Sequence, residues 1–239
     1  MANPTAAMLV IGDEILSGRT QDTNSNHLAT NLTEIGIDLR EIRVVGDAPA
    51  QIITALNALR GQFDYVFTSG GIGPTHDDIT ADCIAKAFGI GISIRDDARA
   101  ILASHYANRK DLNEMRLRMA RIPDGATLID NPVSKAPGFQ VENVYVMAGV
   151  PAVFHAMLAS ILPTLIGGTP LLSFTVRIEQ PEGTLAGPLA EIAAQHPDVA
   201  IGSYPFMQNG VYGSNLVARC PDPALLEIVA AKLQKLGTI

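Results

Sequence analysis

Residues 64–80 read DYVFTSGGIGPTHDDIT, an apolar run that leads into a glycine-rich loop. The run at 64–68 predicts a β-strand, and apolar residues at helical spacing over 79–88 predict a helix after the loop. A strand that enters a helix through a short glycine turn is typical of a parallel α/β sheet. This stretch therefore predicts an α/β fold in which the loop lies at the carboxyl end of a strand.

The same alternation of strand and helix continues on both sides of this stretch. Upstream, the apolar pattern predicts strands at 6–11 and 39–45 and helices at 24–35 and 48–59. Downstream, it predicts helices at 96–106, 112–121 and 152–162 and short strands at 127–129 and 144–147. This order with short connections predicts a three-layer, doubly wound, mostly parallel sheet over residues 1–166.

A different pattern follows Gly167-Gly168-Thr169-Pro170, a sequence typical of a turn or linker. The later segments predict β-α-β-β-α, with elements at 172–178, 184–195, 199–204, 211–219 and 223–236. We expect residues 167–239 to form a small α+β unit. Because about 70 residues bury little surface alone, we expect this unit to dock on the first domain or on another subunit of a homo-oligomer.

The composition excludes several classes of protein. The 239 residues are 47% apolar and 17% charged, with a net charge of −7. Such a chain is too apolar to be disordered, and its acidity disfavours binding to nucleic acid. No apolar run reaches the ~18 residues of a membrane span, and no signal sequence is recognisable. We expect Cys83 and Cys220 to be buried thiols of a cytoplasmic protein.

The glycine loop has the composition of a phosphate-binding site. Gly70, Gly71 and Gly73 permit positive φ angles and a close approach of the backbone to a ligand. Successive N–H groups in such a loop form a nest for anions, and the start of the following helix adds positive charge. The spacing matches neither the P-loop nor the dinucleotide-binding fingerprint. We therefore expect a phosphate or pyrophosphate ligand.

Two adjacent carboxylates follow the glycines. Asp77 and Asp78 would repel a bare phosphate, and a divalent cation such as Mg²⁺ or Co²⁺ resolves this conflict by bridging carboxylate and phosphate oxygens. Asp78 also fits a structural role as the N-cap of the next helix. His76 fits a hydrogen-bonding role better than metal binding, because it is a lone histidine in a loop.

Further candidate residues follow the other strand ends. Because parallel strands end at one edge of the sheet, we expect these residues near the glycine loop. Asp13 and Glu14 have an alternative role as a solvated turn, and residues 24–26 have one as helix caps. Lys135, in the Pro/Gly-rich segment 131–138, offers a point charge to a phosphate. The candidate ligand-binding residues are Asp13, Glu14, Asn24, Ser69, Gly70, Gly71, Gly73, Thr75, Lys135, Pro137, Gly138 and Gly149.

Five segments carry a family resemblance, at 11–18, 22–25, 69–80, 131–138 and 147–153. Over about residues 6–166 the chain resembles the molybdopterin-binding fold of the molybdopterin adenylyltransferases. It is most similar to the branch found at the N-terminus of competence/damage-inducible protein A, for which the motif GGIGPTHDDIT is specific. The remainder resembles the small α+β unit that follows this domain in that branch and in eukaryotic FAD synthases.

The resemblance implies a role for the paired aspartates. Molybdopterin adenylyltransferases carry Arg-Asp in this loop, whereas the branch with paired aspartates hydrolyses pyrophosphates in ADP-ribose- or FAD-like dinucleotides with a metal. The resemblance therefore implies that Asp77 and Asp78 are catalytic and hold the metal, assisted by Asp13 or Glu14. The resemblance does not extend to the C-terminal amidase domain of longer relatives.

Two alternative functions stay open. One is a pterin- or nucleotide-binding module without turnover, linked to molybdenum cofactor biosynthesis. The other is a molybdopterin adenylyltransferase, with molybdopterin as its ligand.

Overall fold

The structure is a computed structural model that describes residues 2–106 and 112–237. The chain forms two compact units, Met1–Gly168 and Thr169–Ile239. The strands are β1 (Thr5–Ile11), β2 (Asp38–Val45), β3 (Tyr65–Ser69), β4 (Ile92–Ile94), β5 (Arg121–Pro123), β6 (Thr127–Ile129), β7 (Gly138–Val141), β8 (Val144–Met147), β9 (Leu172–Ile178), β10 (Ala200–Gln208) and β11 (Val211–Cys220). The helices are α1 (Asp13–Leu16), α2 (Asn24–Glu34), α3 (Pro49–Arg60), α4 (Thr80–Phe88), α5 (Asp96–Ala103), α6 (Glu114–Leu117), α7 (Pro151–Ile161), α8 (Glu182–Gln195) and α9 (Pro223–Leu236).

The first unit is built on a six-stranded sheet with the order β2-β1-β3-β8-β7-β6. The pairs β1–β2, β1–β3 and β3–β8 are parallel, and β7 pairs antiparallel with both β8 and β6. The mostly parallel, doubly wound sheet predicted from the sequence is confirmed. Because the chain goes from β1 to β2 and then crosses to β3 on the other side of β1, the switch in strand order lies between β1 and β3. Ligands of such sheets bind at this point, beyond the carboxyl ends of the strands.

Strand β1 is apolar throughout because both of its faces are buried. Ala7 and Leu9 face one apolar layer, where α3 and α4 pack on the sheet. Ala6 and Met8 face the other layer, which contains residues of α2 and α7. These four side chains have no exposed surface. A continuous apolar run is the pattern expected of a parallel strand covered by helices on both sides.

One prediction about an element of the first unit was wrong. Segment 112–121 was expected to be one helix, but α6 ends at Leu117, a 3₁₀ turn spans Arg118–Ala120, and β5 then pairs with β4. The last residue of the Pro/Gly-rich segment 131–138, Gly138, begins β7. A Cβ at Gly138 would lie 2.5 Å from the carbonyl oxygen of Val146 on β8. The absence of a side chain at Gly138 therefore allows β7 to pair closely with β8.

The capping role considered for Asp78 is not observed. Helix α4 begins at Thr80, and Ile79 occupies the N-cap position. The N–H of Thr80 donates to the carbonyl oxygen of Gly71. The Asp78 carboxylate accepts from the N–H of Thr75 at 2.8 Å, so it closes the loop instead of capping the helix.

The side chain of Asp22 takes the capping role that was considered for residues 24–26. Asp22 Oδ1 accepts from the backbone N–H groups of Asn24 at 3.0 Å and Ser25 at 3.1 Å, at the start of α2. The amide of Asn24 is therefore available for a different task.

The second unit is a three-stranded antiparallel sheet with the order β10-β11-β9, packed against α8 and α9. Its core contains Leu216, Val229 and Leu233, none of which has exposed surface. The small α+β unit predicted from the sequence is confirmed.

Cys220 in this unit and Cys83 in the first are both free and buried, as predicted, and burial raises the pKa of the Cys83 thiol to about 11. Among the described residues, no helix has both the length and the apolarity needed to cross a membrane.

A stacked histidine pair joins α2 to α7. The rings of His27 and His155 lie 3.6 Å apart between centroids, with an angle of 24° between their planes. The pKa of His27 is below its ordinary value, first because the ring is partly buried and second because His155 lies beside it. Because the pKa of His27 is lower in the folded state, the unfolded chain binds the proton more tightly. The contribution of His27 to the free energy of unfolding is therefore fully present above about pH 6.5 and decreases as the pH falls below that value.

We therefore expect the melting temperature to fall between pH 7.5 and pH 5.0, and to fall less in a His27→Gln variant. Circular dichroism at both pH values measures the difference. His105→Gln is the matched control, since this exposed histidine lies outside the pair. An equal pH dependence in the wild type and in His27→Gln would refute the expectation.

Candidate functional site

The glycine loop after β3 lies at the switch point of the sheet. Gly70 and Gly71 have φ angles of 109° and 69°, which favour glycine. A Cβ at Gly70 would lie 2.2 Å from the carbonyl oxygen of Ile11, at the end of β1. A Cβ at Gly71 would lie 2.1 Å from Thr80 Oγ1, in the first turn of α4. The ends of β1, β3 and α4 therefore meet at a distance that only glycine permits.

Hydrogen bonds fix both ends of this loop and leave its centre open. The N–H of Gly70 donates to Met147 at 3.2 Å, and Thr80 Oγ1 donates to the carbonyl oxygen of Gly70 at 3.0 Å. Within residues 2–106 and 112–237, no acceptor pairs with the N–H groups of Gly71, Ile72 and Gly73. Three neighbouring amide donors are therefore available to a ligand.

Gly71, Ile72 and Gly73 border a cleft of about 480 Å³, a size typical of small-molecule sites. Residues from the ends of β1, β3 and β8, and from the segment before β7, line it. They are Glu14, Thr20, Gly70, Gly71, Ile72, Gly73, Pro74, Asp78, Met119, Asn131, Ser134, Ala136, Ala148, Gly149, Val150, Pro151 and Val153. The candidate ligand-binding residues that the structure brings together here are Glu14, Gly70, Gly71, Gly73 and Gly149, together with the candidate catalytic residue Asp78.

The two candidate catalytic aspartates have different surroundings. Asp78 lines the cleft, and its Oδ2 accepts from both the N–H and the hydroxyl of Thr75. Asp77 points toward solvent with 61% of its side chain exposed, and its carboxylate lies 3.8 Å from His76 Nδ1. The pKa of Asp77 lies below its ordinary value, chiefly because of the Thr75 side chain and then its own backbone N–H. Of the two aspartates, Asp78 is therefore the one that borders the cleft, and it also lines a smaller cavity next to the loop.

Asp13, Asn24 and Ser69 lie beside the cleft wall. The N–H of Asp13 donates to Asp47 at 3.0 Å, and the N–H of Asp47 donates back to Asp13 at 3.4 Å. This reciprocal pair ties the ends of β1 and β2 together. Asn24 and Ser69 line a small side cavity that shares Glu14 and Gly149 with the cleft.

Segment 131–138 contributes different residues from those expected. The buried amide of Asn131 donates to Ser134 at 2.7 Å and to the carbonyl oxygen of Ala136 at 2.8 Å, so these three residues form part of the cleft wall. Lys135 is not one of the described residues that line the cleft. Pro137 lines a separate small cavity together with Gly71 and Gly73, and Gly138 belongs to β7.

Arg118 is a neighbour of the loop that the sequence did not indicate. Its Nη2 donates to the carbonyl oxygen of Asp78 at 3.2 Å. The side chain borders a cavity of about 20 Å³ that Gly71 and Gly73 also line. Arg121 lies next to it and forms a two-point ion pair with Asp82 at 2.9 and 2.6 Å. No sequence pattern predicts this arrangement, because it depends on the 3₁₀ turn at Arg118–Ala120 that replaces part of the expected helix.

The carboxylates do not form a complete metal site by themselves. In the part of the chain that the structure describes, no three His, Cys, Asp or Glu side chains come close enough to hold a metal ion. One carboxylate oxygen of Asp13 accepts from the N–H of Asp47 at 3.4 Å. Glu14 and Asp78 both border the cleft, where ligand oxygens are able to complete a coordination shell.

Comparison with known proteins agrees with this geometry. A family model described as "Probable molybdopterin binding domain" matches residues 7–167, and one described as "FAD synthase, middle domain" matches residues 170–237. A doubly wound sheet with a glycine-lined cleft at its switch point therefore defines a protein of the molybdopterin-binding class. More particularly, the chain belongs to the MoaB/Mog-type molybdopterin-binding domain family in its CinA-like form, and its second unit is similar to the FAD synthase middle domain.

Individual relatives show how far this similarity extends. A protein from Pyrobaculum calidifontis is 34% identical over 212 residues, which cover 84% of this chain and 81% of its relative. A "Probable FAD synthase" from Caenorhabditis elegans is 33% identical over 97% of this chain, but the match spans only 50% of that protein. The crystal structure of "the protein CinA with unknown function" from Thermoplasma acidophilum is 36% identical, with a TM-score of 0.64 over 67% of this chain and 97% of that one.

Proposed function

We propose that this protein is a metal-dependent hydrolase of nucleotide pyrophosphates, acting on ADP-ribose- or FAD-like dinucleotides. One observation carries the proposal: Asp78 lines the same cleft as Gly71, Ile72 and Gly73, whose N–H groups have no partner among the described residues. The N–H groups favour an anion, whereas the carboxylate favours a cation. A pyrophosphate that arrives with a divalent cation satisfies both.

The residues of the chain have separable tasks in this proposal. The N–H groups of Gly71, Ile72 and Gly73 bind non-bridging phosphate oxygens and hold the pyrophosphate in place. Thr75 holds the Asp78 carboxylate in one orientation through two hydrogen bonds. Water then adds to one phosphorus while the bridging P–O bond breaks, so that two phosphate monoesters are released. The cleft wall also contains apolar side chains, including Met119 and Val150, that are available to the rest of the ligand.

The donor set fits a magnesium-type cation better than a zinc-type one. Magnesium is commonly held by one or two carboxylates together with phosphate oxygens and water. Thr75 occupies Oδ2 of Asp78, and no donor among the described residues pairs with Oδ1. Asp78 would therefore hold the ion, with Asp77 or Glu14 as a second carboxylate. When bound, such an ion would neutralise phosphate charge and lower the pKa of a coordinated water.

The direct test is an assay of the purified protein with ADP-ribose or FAD in the presence of Mg²⁺ or Co²⁺. We expect AMP from both substrates, together with ribose 5-phosphate or FMN, and no product when the metal is chelated. Chromatography separates these products. If no metal supports hydrolysis while calorimetry detects ligand binding, the protein is a pterin- or nucleotide-binding module. Transfer of AMP from MgATP to molybdopterin would instead identify an adenylyltransferase.

We also propose that the protein forms a homo-oligomer. The small second unit carries exposed apolar side chains, since Tyr204 is 50%, Met207 66% and Tyr212 63% exposed. Side chains of this kind are favoured at protein interfaces. Light scattering is expected to give the mass of a dimer or a larger assembly, and a monomer mass at every concentration would refute this proposal.

A further inference from the structure

The backbone of Gly149 packs directly against the start of the glycine loop. Gly149 follows β8 and lines the cleft. A Cβ at this position would lie 3.3 Å from the Cα of Gly70 and 3.7 Å from its backbone nitrogen. The N–H of Gly70 in turn donates to the carbonyl oxygen of Met147 at 3.2 Å. The ends of β3 and β8 are therefore in close contact where the loop begins, and a displacement of Gly149 would be transmitted to Gly70.

The side chain of Asn24 joins these two strand ends from the first turn of α2. Its Nδ2 donates to Ser69 Oγ at 2.9 Å and to the carbonyl oxygen of Gly149 at 2.8 Å. Because a carbonyl oxygen only accepts, the bond to Gly149 identifies the donating end of the amide as nitrogen. Ser69 is the last residue of β3 and directly precedes Gly70. One side chain therefore holds both the residue before Gly70 and the residue packed against it.

Neither helix capping nor contact with a ligand accounts for this amide. Asp22 accepts from the backbone N–H of Asn24 and caps the start of α2. The Asn24 side chain is only 4% exposed, and its Oδ1 is enclosed by the protein. Burial of a polar group is costly unless the group forms hydrogen bonds, and both hydrogens of this amide are used between the strand ends. Holding Ser69 and Gly149 together is therefore the task that the geometry gives to Asn24.

We infer that Asn24 is a positioning residue for the proposed hydrolysis. It fixes the spacing between Gly149 and Gly70, and through this spacing it fixes the conformation of the glycine loop. The residue acts through its neighbours, which differs from the direct contact with the ligand that the sequence led us to expect. This inference rests on the proposed function, since it assumes that the glycine loop binds the reacting pyrophosphate.

Hydrogen exchange measured by NMR tests the positioning without any ligand. In Asn24→Ala we expect the N–H of Gly70 to exchange at least about tenfold faster than in the wild type, because two buried hydrogen bonds between the strand ends are lost. Exchange in the ladder between β1 and β2 is expected to stay unchanged, which separates a local effect from a loss of overall stability. Ser25→Ala is the matched control, since Ser25 is the next buried residue of α2 and its hydroxyl has no partner among the described residues.

Kinetics with ADP-ribose and Mg²⁺ tests the consequence for the reaction. We expect Asn24→Ala to lower kcat by about tenfold or more and to change KM by less than about threefold, because a small displacement affects the reacting geometry more than binding. Ser25→Ala is expected to keep the wild-type kcat.

The pH profile of Asn24→Asp supplies a second kinetic readout. An ionised carboxylate donates no hydrogen bond, whereas a protonated carboxyl donates one. Relative to the wild type at the same pH, the rate of Asn24→Asp is therefore expected to rise as the pH falls from about 8 to about 5. The relative rate of Asn24→Ala is expected to stay constant, since alanine has no group to protonate.

The outcomes separate this inference from the proposed function. Unchanged exchange at Gly70 in Asn24→Ala, or a kcat equal to that of Ser25→Ala, overturns the positioning role. Failure of the wild type to hydrolyse ADP-ribose with any metal overturns the proposed function, and exchange at Gly70 then still decides whether Asn24 holds the loop. If Asn24→Ala does not fold, Asn24→Asp decides, and a pH profile parallel to that of the wild type overturns the inference.

Discussion

An Asp78→Asn variant is expected to hydrolyse ADP-ribose at least about 10²-fold more slowly than the wild type, with little change in stability. Asparagine keeps an oxygen that accepts from Thr75, so the loop is expected to keep its conformation. It loses the negative charge that would hold the divalent cation in the cleft. The effect is expected on kcat at saturating substrate, and the concentration of Mg²⁺ needed for half-maximal rate is expected to rise.

Two control variants make this prediction specific. Asp77→Asn removes the neighbouring charge from a side chain that is 61% exposed, and we expect a smaller loss of rate. Asp96→Asn removes a carboxylate that is 90% exposed at the start of α5, and we expect wild-type activity. Equal rates for wild type and Asp78→Asn under saturating metal would contradict the proposed role of Asp78. A larger loss for Asp77→Asn would assign that role to Asp77.

The architecture could be predicted from the sequence because it depends on short-range patterns. A strand buried on both faces needs a continuous apolar run, and Ala7 and Leu9 belong to one. A helix on such a sheet needs apolar residues at a spacing of three or four, as in Leu28 and Leu32 of α2. Strands as short as β4 and β5, with three residues each, are too brief for periodicity to distinguish them from the ends of helices.

The candidate site could be predicted only as far as the strand ends that form it. The sequence identified the glycine loop, Glu14 and Gly149, because parallel strands bring their carboxyl ends to one edge. It could not decide which side chains of a loop face the ligand. Asn131 fixes segment 131–138 so that Ser134 and Ala136 form part of the wall, while Lys135 lies outside it. These details depend on side-chain hydrogen bonds between residues whose conformation the sequence does not reveal.

The glycine loop is also the place where single substitutions are expected to cost the most stability. Gly71 and Gly89 have nearly the same φ angle, 69° and 67°, but they differ in what a new Cβ would meet. At Gly89 nothing lies within 4 Å, so Gly89→Ala carries only the backbone strain of about 1–2 kcal/mol. At Gly71 the Cβ would lie 2.1 Å from Thr80 Oγ1, a buried hydroxyl that donates to the carbonyl oxygen of Gly70.

We therefore expect Gly71→Ala to reduce the free energy of unfolding by about 3 kcal/mol or more, because it combines that strain with the loss of a buried hydrogen bond. Gly70→Ala should cost still more, since its Cβ would meet the backbone oxygen of Ile11 at 2.2 Å, where no side-chain rotation relieves the overlap. Urea denaturation of the three variants measures the order Gly70, Gly71, Gly89. Equal losses for Gly71→Ala and Gly89→Ala would mean that Thr80 moves aside freely. In that case the close packing of α4 against the loop would not be what fixes the conformation of the glycine loop.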